Sequence, residues 1–200
     1  MSSPIDSALR VAQRGAEFAA LAGGVLILSA AGVVSIDVLL RKFVSVTLGG
    51  ADELSGYALA IGSTWSFAFV MLSRSNVRID ALYQMMSRRW AAVCDLIALM
   101  ALLVFASVVA WYGFTVMSYA WEIGSRSNSS LAVPLAVPLT LWWIGYAWFV
   151  LCGLVLMLRS VSAMFSRDFH LVNRLIGARS IQEEAAEELQ TATEILKAKS

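Results

Sequence analysis

Charge is what this sequence lacks most. Only 14% of its 200 residues are Asp, Glu, Lys or Arg, whereas a soluble domain usually carries about 25%. Hydrophobic residues make up 59% of the chain, and its mean hydropathy is +0.73. The formal net charge is +1, so the chain has no basic field that would attract nucleic acid. These values exclude an ordinary soluble domain and predict a protein whose main partner is the lipid bilayer.

Residues that carry enzyme chemistry are also scarce. The only histidine, His170, lies beyond the last apolar run, so two axial histidines for an intramembrane haem and a Ser-His-Asp triad are both excluded. The HExxH, CxxC, GxSxG and phosphate-loop patterns are absent. Cys94 and Cys152 lie near or within apolar runs, where packing is their expected role. We expect no enzyme, no cofactor and no metal site.

Instead of these motifs, the sequence contains long apolar runs without a charged residue. Phe18–Ile36 and Leu54–Leu72 each contain 19 residues, which makes about 28 Å of helix. The hydrocarbon core of a bilayer is about 30 Å thick. Leu96–Trp121 is a third run, of 26 residues. Each run is therefore long enough to cross a membrane as a helix.

The fourth run, Ser127–Leu158, is interrupted by Pro134 and Pro138. Proline disrupts a helix interior, so the expected spanning part is Leu139–Leu158. The sequence predicts an all-α membrane domain over residues 1–160, with four transmembrane helices at about 17–40, 54–73, 92–120 and 139–158. Residues 161–200 are predicted to form a tail outside the membrane.

The start of the chain could be mistaken for a signal peptide, because Arg10 and Arg14 precede the first apolar run. That run is longer than the roughly 7–15 apolar residues of such a signal, so we expect it to be a retained span. Ser3-Pro4 is typical of a helix start, with a side-chain cap before a proline at the first helical position.

Positive residues alternate between the two sides of this four-span frame. Three lie in the first and third loops, namely Arg41, Lys42 and Arg126. Nine lie on the side of both termini, namely Arg10, Arg14, Arg74, Arg78, Arg88, Arg89, Arg159, Arg167 and Arg174. Loops rich in Lys and Arg stay in the cytoplasm during insertion. Both termini are therefore predicted to be cytoplasmic.

Two further helices are expected outside the spans. Apolar residues recur at helical spacing from Asp80 to Trp90, which indicates either a short amphipathic helix in the headgroup layer or a continuation of the third span. In the tail, Ser180 and Glu183 have capping-box spacing. An amphipathic helix is predicted there at about 181–197, either solvated or docked on a partner.

Ionisable residues at membrane depth are candidates for function by default. Asp37 lies near the outer end of the first span with Arg41 four residues later, so a local ion pair is expected. Asp95 lies just inside the third span, where it can reach the interface. Small residues also line the helices, including a face of Gly56, Ala60 and Ser63 that would permit close helix packing.

The connections, taken in order, resemble the small permease subunit of tripartite ATP-independent periplasmic (TRAP) transporters. The segment 37–43, Asp-Val-Leu-Leu-Arg-Lys-Phe, is similar to the motif at the outer end of that family's first span, with Lys42 intervening between arginine and aromatic. Residues 52–54 match the acidic entry to its second span. Residues 74–80 resemble its inner loop motif, with Asn76 at a position where histidine is common. Pro134, Pro138 and Gly145 resemble its proline-rich entry to the fourth span.

The resemblance covers about residues 16–160 and implies a non-catalytic subunit of a secondary importer in the bacterial inner membrane. In that family a large membrane subunit binds the substrate, typically an organic acid, and moves it with an ion gradient. The small subunit is part of the stationary scaffold. A periplasmic binding protein delivers the substrate to the outer face of both.

If the chain is such a subunit, six residues are candidates for its functional and interface sites. Arg41 and Glu53, at the outer ends of adjacent helices, are predicted to form an ion pair that clamps the first loop, beside Asp37. Arg78 and Asp80 are expected to set the depth of the bundle on the inner side. Arg126 lies in the third loop, residues 122–138, which is the best candidate for contact with the binding protein.

One alternative function, from a different class of protein, remains open. A stand-alone small transporter or channel, forming a homo-oligomer, would need a polar or charged path near the midplane. The sequence offers only scattered hydroxyls there, such as Ser63, Thr64 and Ser66. A membrane-bound enzyme lacks the constellations discussed above.

Overall fold

A computed structural model describes residues 4–74, 86–166 and 168–177, together with Leu189 and Thr193. The described part of the chain is helical, with no strand. Its helices are α1 (Pro4–Phe43), α2 (Ala51–Leu72), α3 (Arg88–Glu122), α4 (Ala136–Phe165) and α5 (Phe169–Ile176). The first four are long and apolar enough to cross a membrane. The predicted all-α fold with four transmembrane helices is therefore confirmed.

The helix ends follow local chemistry. α1 is described from Pro4 onward, and Ser3, the predicted cap, lies outside the described residues. α4 begins at Ala136, three residues before the predicted spanning part Leu139–Leu158, which lies within the helix. Pro138 is the third residue of α4, where a backbone N–H has no partner within the helix, so proline costs little there.

The start of α3 excludes one of the two alternatives predicted for residues 80–90, namely that they continue the third helix. α3 begins at Arg88, and Ser87 before it is extended with φ −66° and ψ 149°. The third helix therefore does not continue back to Asp80, and Trp90 belongs to its first turn. Residues 75–85, with Arg78, Asp80 and the rest of the predicted amphipathic helix, lie outside the described residues. So does the predicted tail helix at 181–197, apart from Leu189 and Thr193, which are helical.

The spanning helices form a row rather than a square bundle. α1 packs mainly on α2, α2 packs on α4, and α4 packs on α3, which gives the order α1, α2, α4, α3. α5 packs against one end of α3 and α4. Because α1 lies at the edge of the row, only 6% of the residues in its most apolar stretch of 18 are buried. Most of its surface therefore faces outward.

Glycines set the spacing of α1 and α2. A Cβ added to Gly23 would lie 2.7 Å from the carbonyl oxygen of Gly62, and one added to Gly62 would lie 2.8 Å from that of Gly23. The small-residue face of Gly56, Ala60 and Ser63 is not used for packing within the chain, because Gly56 has open space around it and Ala60 is exposed. The buried face lies elsewhere on the helix and consists of Ala51, Ala58, Ile61, Gly62, Thr64, Ala68 and Met71.

Indole N–H groups join α4 to both of its neighbours. Trp65 Nε1 of α2 donates to the carbonyl oxygen of Leu141 at 3.0 Å. On the other side, Trp143 Nε1 donates to the carbonyl of Ala110 at 2.9 Å. An indole N–H facing lipid would have no acceptor, so these bonds favour the observed neighbours.

A compact core lies at the end of the row that carries α5. The amphipathic start of α1 buries Leu9, Ala12 and Ala16 in the same cluster as Val172 and Ile176 of α5. Asp6 of α1 also accepts a hydrogen bond from Arg159 Nε of α4 at 2.6 Å. The beginning of α1 is thereby fixed to the end of α4.

Candidate functional site at the outer ends of the helices

The first and third loops lie at the end of the row opposite α5, and we call this the outer end, following the orientation predicted from the arginines. The first loop, residues 44–50, folds back along α1 onto Asp37. Asp37 accepts hydrogen bonds from the backbone N–H of Leu48 at 2.6 Å and from Thr47 Oγ1 at 3.0 Å. Arg41 Nη2 donates to its other oxygen at 2.7 Å. Asp37 is only 2% exposed, so the loop and Arg41 cover it.

The ion pair expected within α1, between Asp37 and Arg41, is thus present, but the one predicted between Arg41 and Glu53 is not formed. Helix geometry gives the reason. Measured from the Gly23–Gly62 crossing at 1.5 Å rise per residue, Arg41 lies about 27 Å up and Glu53 only about 14 Å. Asp37 is one turn from Arg41 on the same helix and takes its guanidinium instead.

Glu53 faces the third loop, residues 123–135. Its carboxylate accepts a hydrogen bond from Tyr57 Oη one turn along α2. The hydroxyls of Ser127 and Ser129 face the same carboxylate. Its second oxygen is closed off from solvent. Glu53 therefore lies between the start of α2 and the third loop, and it does not clamp the first loop as predicted.

The third loop folds back on itself as a short hairpin. Ser127 N donates to the carbonyl of Val133 at 3.0 Å, and Leu135 N donates to that of Ser125 at 2.9 Å. Arg126 Nη1 donates to the carbonyl of Ala132 at 3.2 Å. Arg126 is exposed at the outer end, so its charge is available to a partner. The same side chain stabilises the hairpin through its bond to Ala132.

The two outer loops lie against each other through a pair of glycines. Gly49 and Gly50 have positive φ values of 63° and 94°, a conformation that favours glycine. A Cβ on Gly49 would lie 2.9 Å from Ser130 Oγ, and the side chain of Leu131 packs against Gly50. The outer end is therefore one interlocked surface, held by Asp37 on one side and by Glu53 on the other.

Below this surface, α2 and α3 leave a groove floored by α4. Its outer part has a volume of about 580 Å³ and its inner part about 340 Å³. A ladder of aromatic rings runs along it, with centroid distances of 5.0 Å for Trp142–Tyr146, 5.8 Å for Tyr146–Phe67 and 5.9 Å for Phe67–Phe149. Both parts are lined by apolar and aromatic residues without a charged side chain. The groove can therefore hold apolar groups.

Hydroxyls within the spans bond to their own helices. Thr64 Oγ1 lies 2.9 Å from the carbonyl of Ile61, Ser66 Oγ lies 2.9 Å from that of Gly62, and buried Ser160 Oγ lies 2.9 Å from that of Leu156. Asp95 is buried near the start of α3 and has a partner. Within the described ranges, no group of three His, Cys, Asp or Glu residues could hold a metal ion.

Sequence reasoning placed Asp37, Arg41, Glu53 and Arg126 at the same end of the helices, and in the structure all four lie there. Asp37 and Arg41 belong to α1, Glu53 to α2 and Arg126 to the third loop. Arg78 and Asp80 lie outside the described residues. Reasoning from the sequence missed Tyr57, Ser127 and Ser129. Tyr57 follows Glu53 at the i, i+4 spacing of a helical pair, which was a usable signal. The serines had none, because their approach depends on how the third loop folds.

Comparison with known families gives one match. The family model described as "Tripartite ATP-independent periplasmic transporters, DctQ component" matches residues 30–167. The matched region begins within α1 and reaches the end of α4, so it includes both outer loops and the groove. Comparisons with curated proteins and with solved structures give no match.

Proposed function

Since the chain belongs to the DctQ component family of tripartite ATP-independent periplasmic transporters, we propose that it is the small, non-catalytic scaffold subunit of such an importer. Its partner in the membrane is the large subunit that moves the substrate. The transported molecule is an organic acid, and an ion gradient drives its uptake. The chain resides in the bacterial inner membrane with both termini in the cytoplasm.

The observation that carries the scaffold proposal is the row of helices whose groove is lined without a charged side chain. A stationary frame needs rigid contacts between its own helices and apolar surface for a neighbour. The glycine crossing and the indole bonds supply the contacts. The outward surface of α1 and the groove between α2 and α3 supply the apolar surface. Without a hydrophobic driving force in lipid, close packing of such surfaces is what holds subunits together.

The third loop supports a second contact, with the soluble binding protein. Arg126 and Asn128 are exposed beside the serines of the hairpin. A surface of this polarity suits a partner that must leave after each delivery, because transient interfaces are more polar than permanent ones. Glu53 and Tyr57 would hold the hairpin in a fixed position for docking.

The alternative of a stand-alone transporter or channel finds no support in the described spans. Such a protein needs polar or charged groups along a path. Thr64, Ser66 and Ser160 are instead satisfied by carbonyls of their own helices. The aromatic floor of the groove is likewise apolar.

The test is a mild-detergent pull-down from native membranes with a tag at the C-terminus. The scaffold proposal predicts recovery of a larger multi-span protein at equal stoichiometry. Reconstituted in liposomes without that partner, the chain should take up no organic acid. Recovery of the chain alone as a stable oligomer that transports by itself would overturn the proposal and favour the stand-alone alternative.

A further inference from the structure

Glu17 is an exposed glutamate in the interior of α1, far from both ends of that helix. It is also the first residue of the predicted span 17–40. No described residue forms an ion pair or a hydrogen bond with its carboxylate. Because an ionisable group at membrane depth is a candidate for function by default, the depth of Glu17 decides whether it is such a candidate.

The crossing of α1 and α2 relates the depth of Glu17 to that of Asp52 at the outer end. Glu17 lies about 9 Å inward from Gly23 at 1.5 Å rise per residue, and Asp52 lies about 15 Å outward from Gly62. The two carboxylates are therefore separated by about 24 Å along the helices. The hydrocarbon core is about 30 Å thick, and helix tilt shortens the separation further. The two carboxylates cannot both lie outside the hydrocarbon.

Asp52 is the carboxylate that lies outside. It is exposed in the first turn of α2, next to the two outer loops. With Asp52 at the outer boundary of the hydrocarbon, Glu17 lies about 6 Å inside the inner boundary. Any placement that moves the chain further outward puts Glu17 deeper in the hydrocarbon.

Contacts with α4 support this depth independently. A Cβ on Gly15 would lie 2.6 Å from Cζ2 of Trp148, and Trp148 is at the middle of the predicted fourth span. Further inward, Asp6 bonds to Arg159, which directly follows that span. Glu17 lies about 17 Å outward from Asp6, which is about half the thickness of the hydrocarbon.

The side chain of Glu17 faces away from the other helices of the chain. α1 buries Ala12 and Ala16 in the core, whereas Glu17 shares a face with Leu21, which is 69% exposed. Arg14, one turn before Glu17, is also exposed. A long arginine side chain near the inner boundary can extend to the headgroups, but the shorter glutamate cannot.

The charge of Glu17 indicates what covers this face of α1. Lipid would leave the carboxylate unpaired in hydrocarbon, which is unfavourable. A second copy related by a twofold axis along the membrane normal would bring Glu17 against the same residue of its partner, because such an interface uses one patch twice. Like charges would then repel. A different membrane protein with a basic side chain at this depth avoids both costs.

We propose that the face of α1 around Glu17 and Leu21 binds a membrane helix of the large subunit, and that Glu17 pairs with a basic side chain of that helix. The proposal rests on the scaffold function proposed above. It concerns a part of α1 that precedes the region of the family match, which begins at residue 30.

Removing the charge distinguishes a protein contact from a lipid contact. Glu17→Gln should reduce the large subunit recovered in the pull-down at least fivefold, because the basic side chain of the partner loses its counterion. If lipid covers Glu17, recovery will be unchanged and the inference is wrong. Glu122→Gln is the matched control, since Glu122 is exposed at the end of α3, and recovery should be unchanged.

Thermal unfolding of the chain alone in detergent checks that the variant still folds. Because no described residue bonds to the carboxylate, Glu17→Gln should keep the Tm and the membrane abundance of the unmodified chain. A lower Tm would show that Glu17 acts within the chain, which would overturn the inference.

Photocrosslinking in intact membranes identifies the occupant directly. A photoreactive phenylalanine analogue at Leu21 is expected to capture the large subunit. Capture of lipid alone or of a second copy of this chain would overturn the inference.

The two proposals fail in different ways. If the unmodified chain and Glu17→Gln recover the large subunit equally well, the assignment of this face is wrong and the scaffold function stands. An equal loss of recovery from Glu122→Gln would also refute a specific role for Glu17. If the unmodified chain recovers no large subunit, the scaffold function itself is wrong.

Discussion

Asp37 organises the outer end of α1 as a single residue. Its carboxylate accepts bonds from a side chain one turn later, from a hydroxyl ten residues later and from a backbone N–H eleven residues later. A charged group this covered needs such partners, since burial without them is costly. The same bonds fix the return path of the first loop. The position of the first loop therefore depends on one carboxylate.

Replacing Asp37 with Asn should loosen the first loop. The amide keeps one acceptor oxygen but loses the charge that Arg41 and the N–H of Leu48 bind, and charge-assisted bonds are the stronger kind. We expect the Tm of the chain in detergent to fall by several degrees and the first loop to become sensitive to protease. Asp52→Asn is the matched control, since that carboxylate is exposed. An equal Tm for both variants would show that Asp37 does not hold the loop.

Arg126 has two possible roles that substitutions can separate. It braces the hairpin through the carbonyl of Ala132, and its charge faces outward. If the charge docks the binding protein, Arg126→Glu should reduce uptake at least severalfold without reducing membrane abundance, whereas Arg126→Lys should keep most of it. Uptake of labelled substrate by whole cells measures both. Equal losses of uptake in the two variants would indicate that the hydrogen bond from Arg126 to Ala132 matters and that the charge does not.

At the scale of elements, the crossing of α1 and α2 controls how close the two helices lie. Gly23 and Gly62 place each backbone against the other's carbonyl oxygen. Backbone atoms cannot rotate away as a side chain can, so any added carbon must move a helix. Gly24, the next residue, has open space beside it.

Gly23→Ala and Gly24→Ala form a pair with opposite expected effects. The methyl group at residue 23 overpacks the crossing and should destabilise the chain by about 1–3 kcal/mol. At residue 24 the same change should be neutral or stabilising by up to about 1 kcal/mol, because Ala is the better helix former. Thermal unfolding in detergent compares the two. Equal stabilities would contradict the crossing geometry.

Hydropathy could predict the four helices but not their full lengths. The first uncharged run lies inside α1 and the predicted span Leu139–Leu158 lies inside α4, but both helices continue into amphipathic or polar segments that hydropathy does not detect. α5 was missed, although Asp168 caps its start and Val172 and Ile176 have helical spacing. The sequence could not tell which small residues of α2 pack inside the chain, because small residues occur on more than one face and only the neighbouring helix selects among them.

For the whole molecule, the order of the helices in the row could not be predicted from the sequence. Short connections predict that α1 neighbours α2 and that α3 neighbours α4, but they do not say which helices join these pairs. The contact between α2 and α4 depends on Trp65 reaching the carbonyl of Leu141 and on Gly145 lying against Thr64. Those partners are about 80 residues apart, and no local pattern connects them.

The arginines predict how the whole molecule is oriented in the membrane. An accessibility measurement can test this prediction. The ends joined by Asp6 and Arg159 form one side, which carries most of the positive residues, and both outer loops form the other. A cysteine introduced at Ser130 should react with a membrane-impermeant maleimide in cells whose outer membrane has been permeabilised. One introduced at Ser87, beside the first turn of α3, should react only after the inner membrane is opened. The unmodified chain controls for Cys94 and Cys152, which lie within spanning helices. Labelling in the reverse order would place both outer loops in the cytoplasm, where they could not contact a periplasmic binding protein.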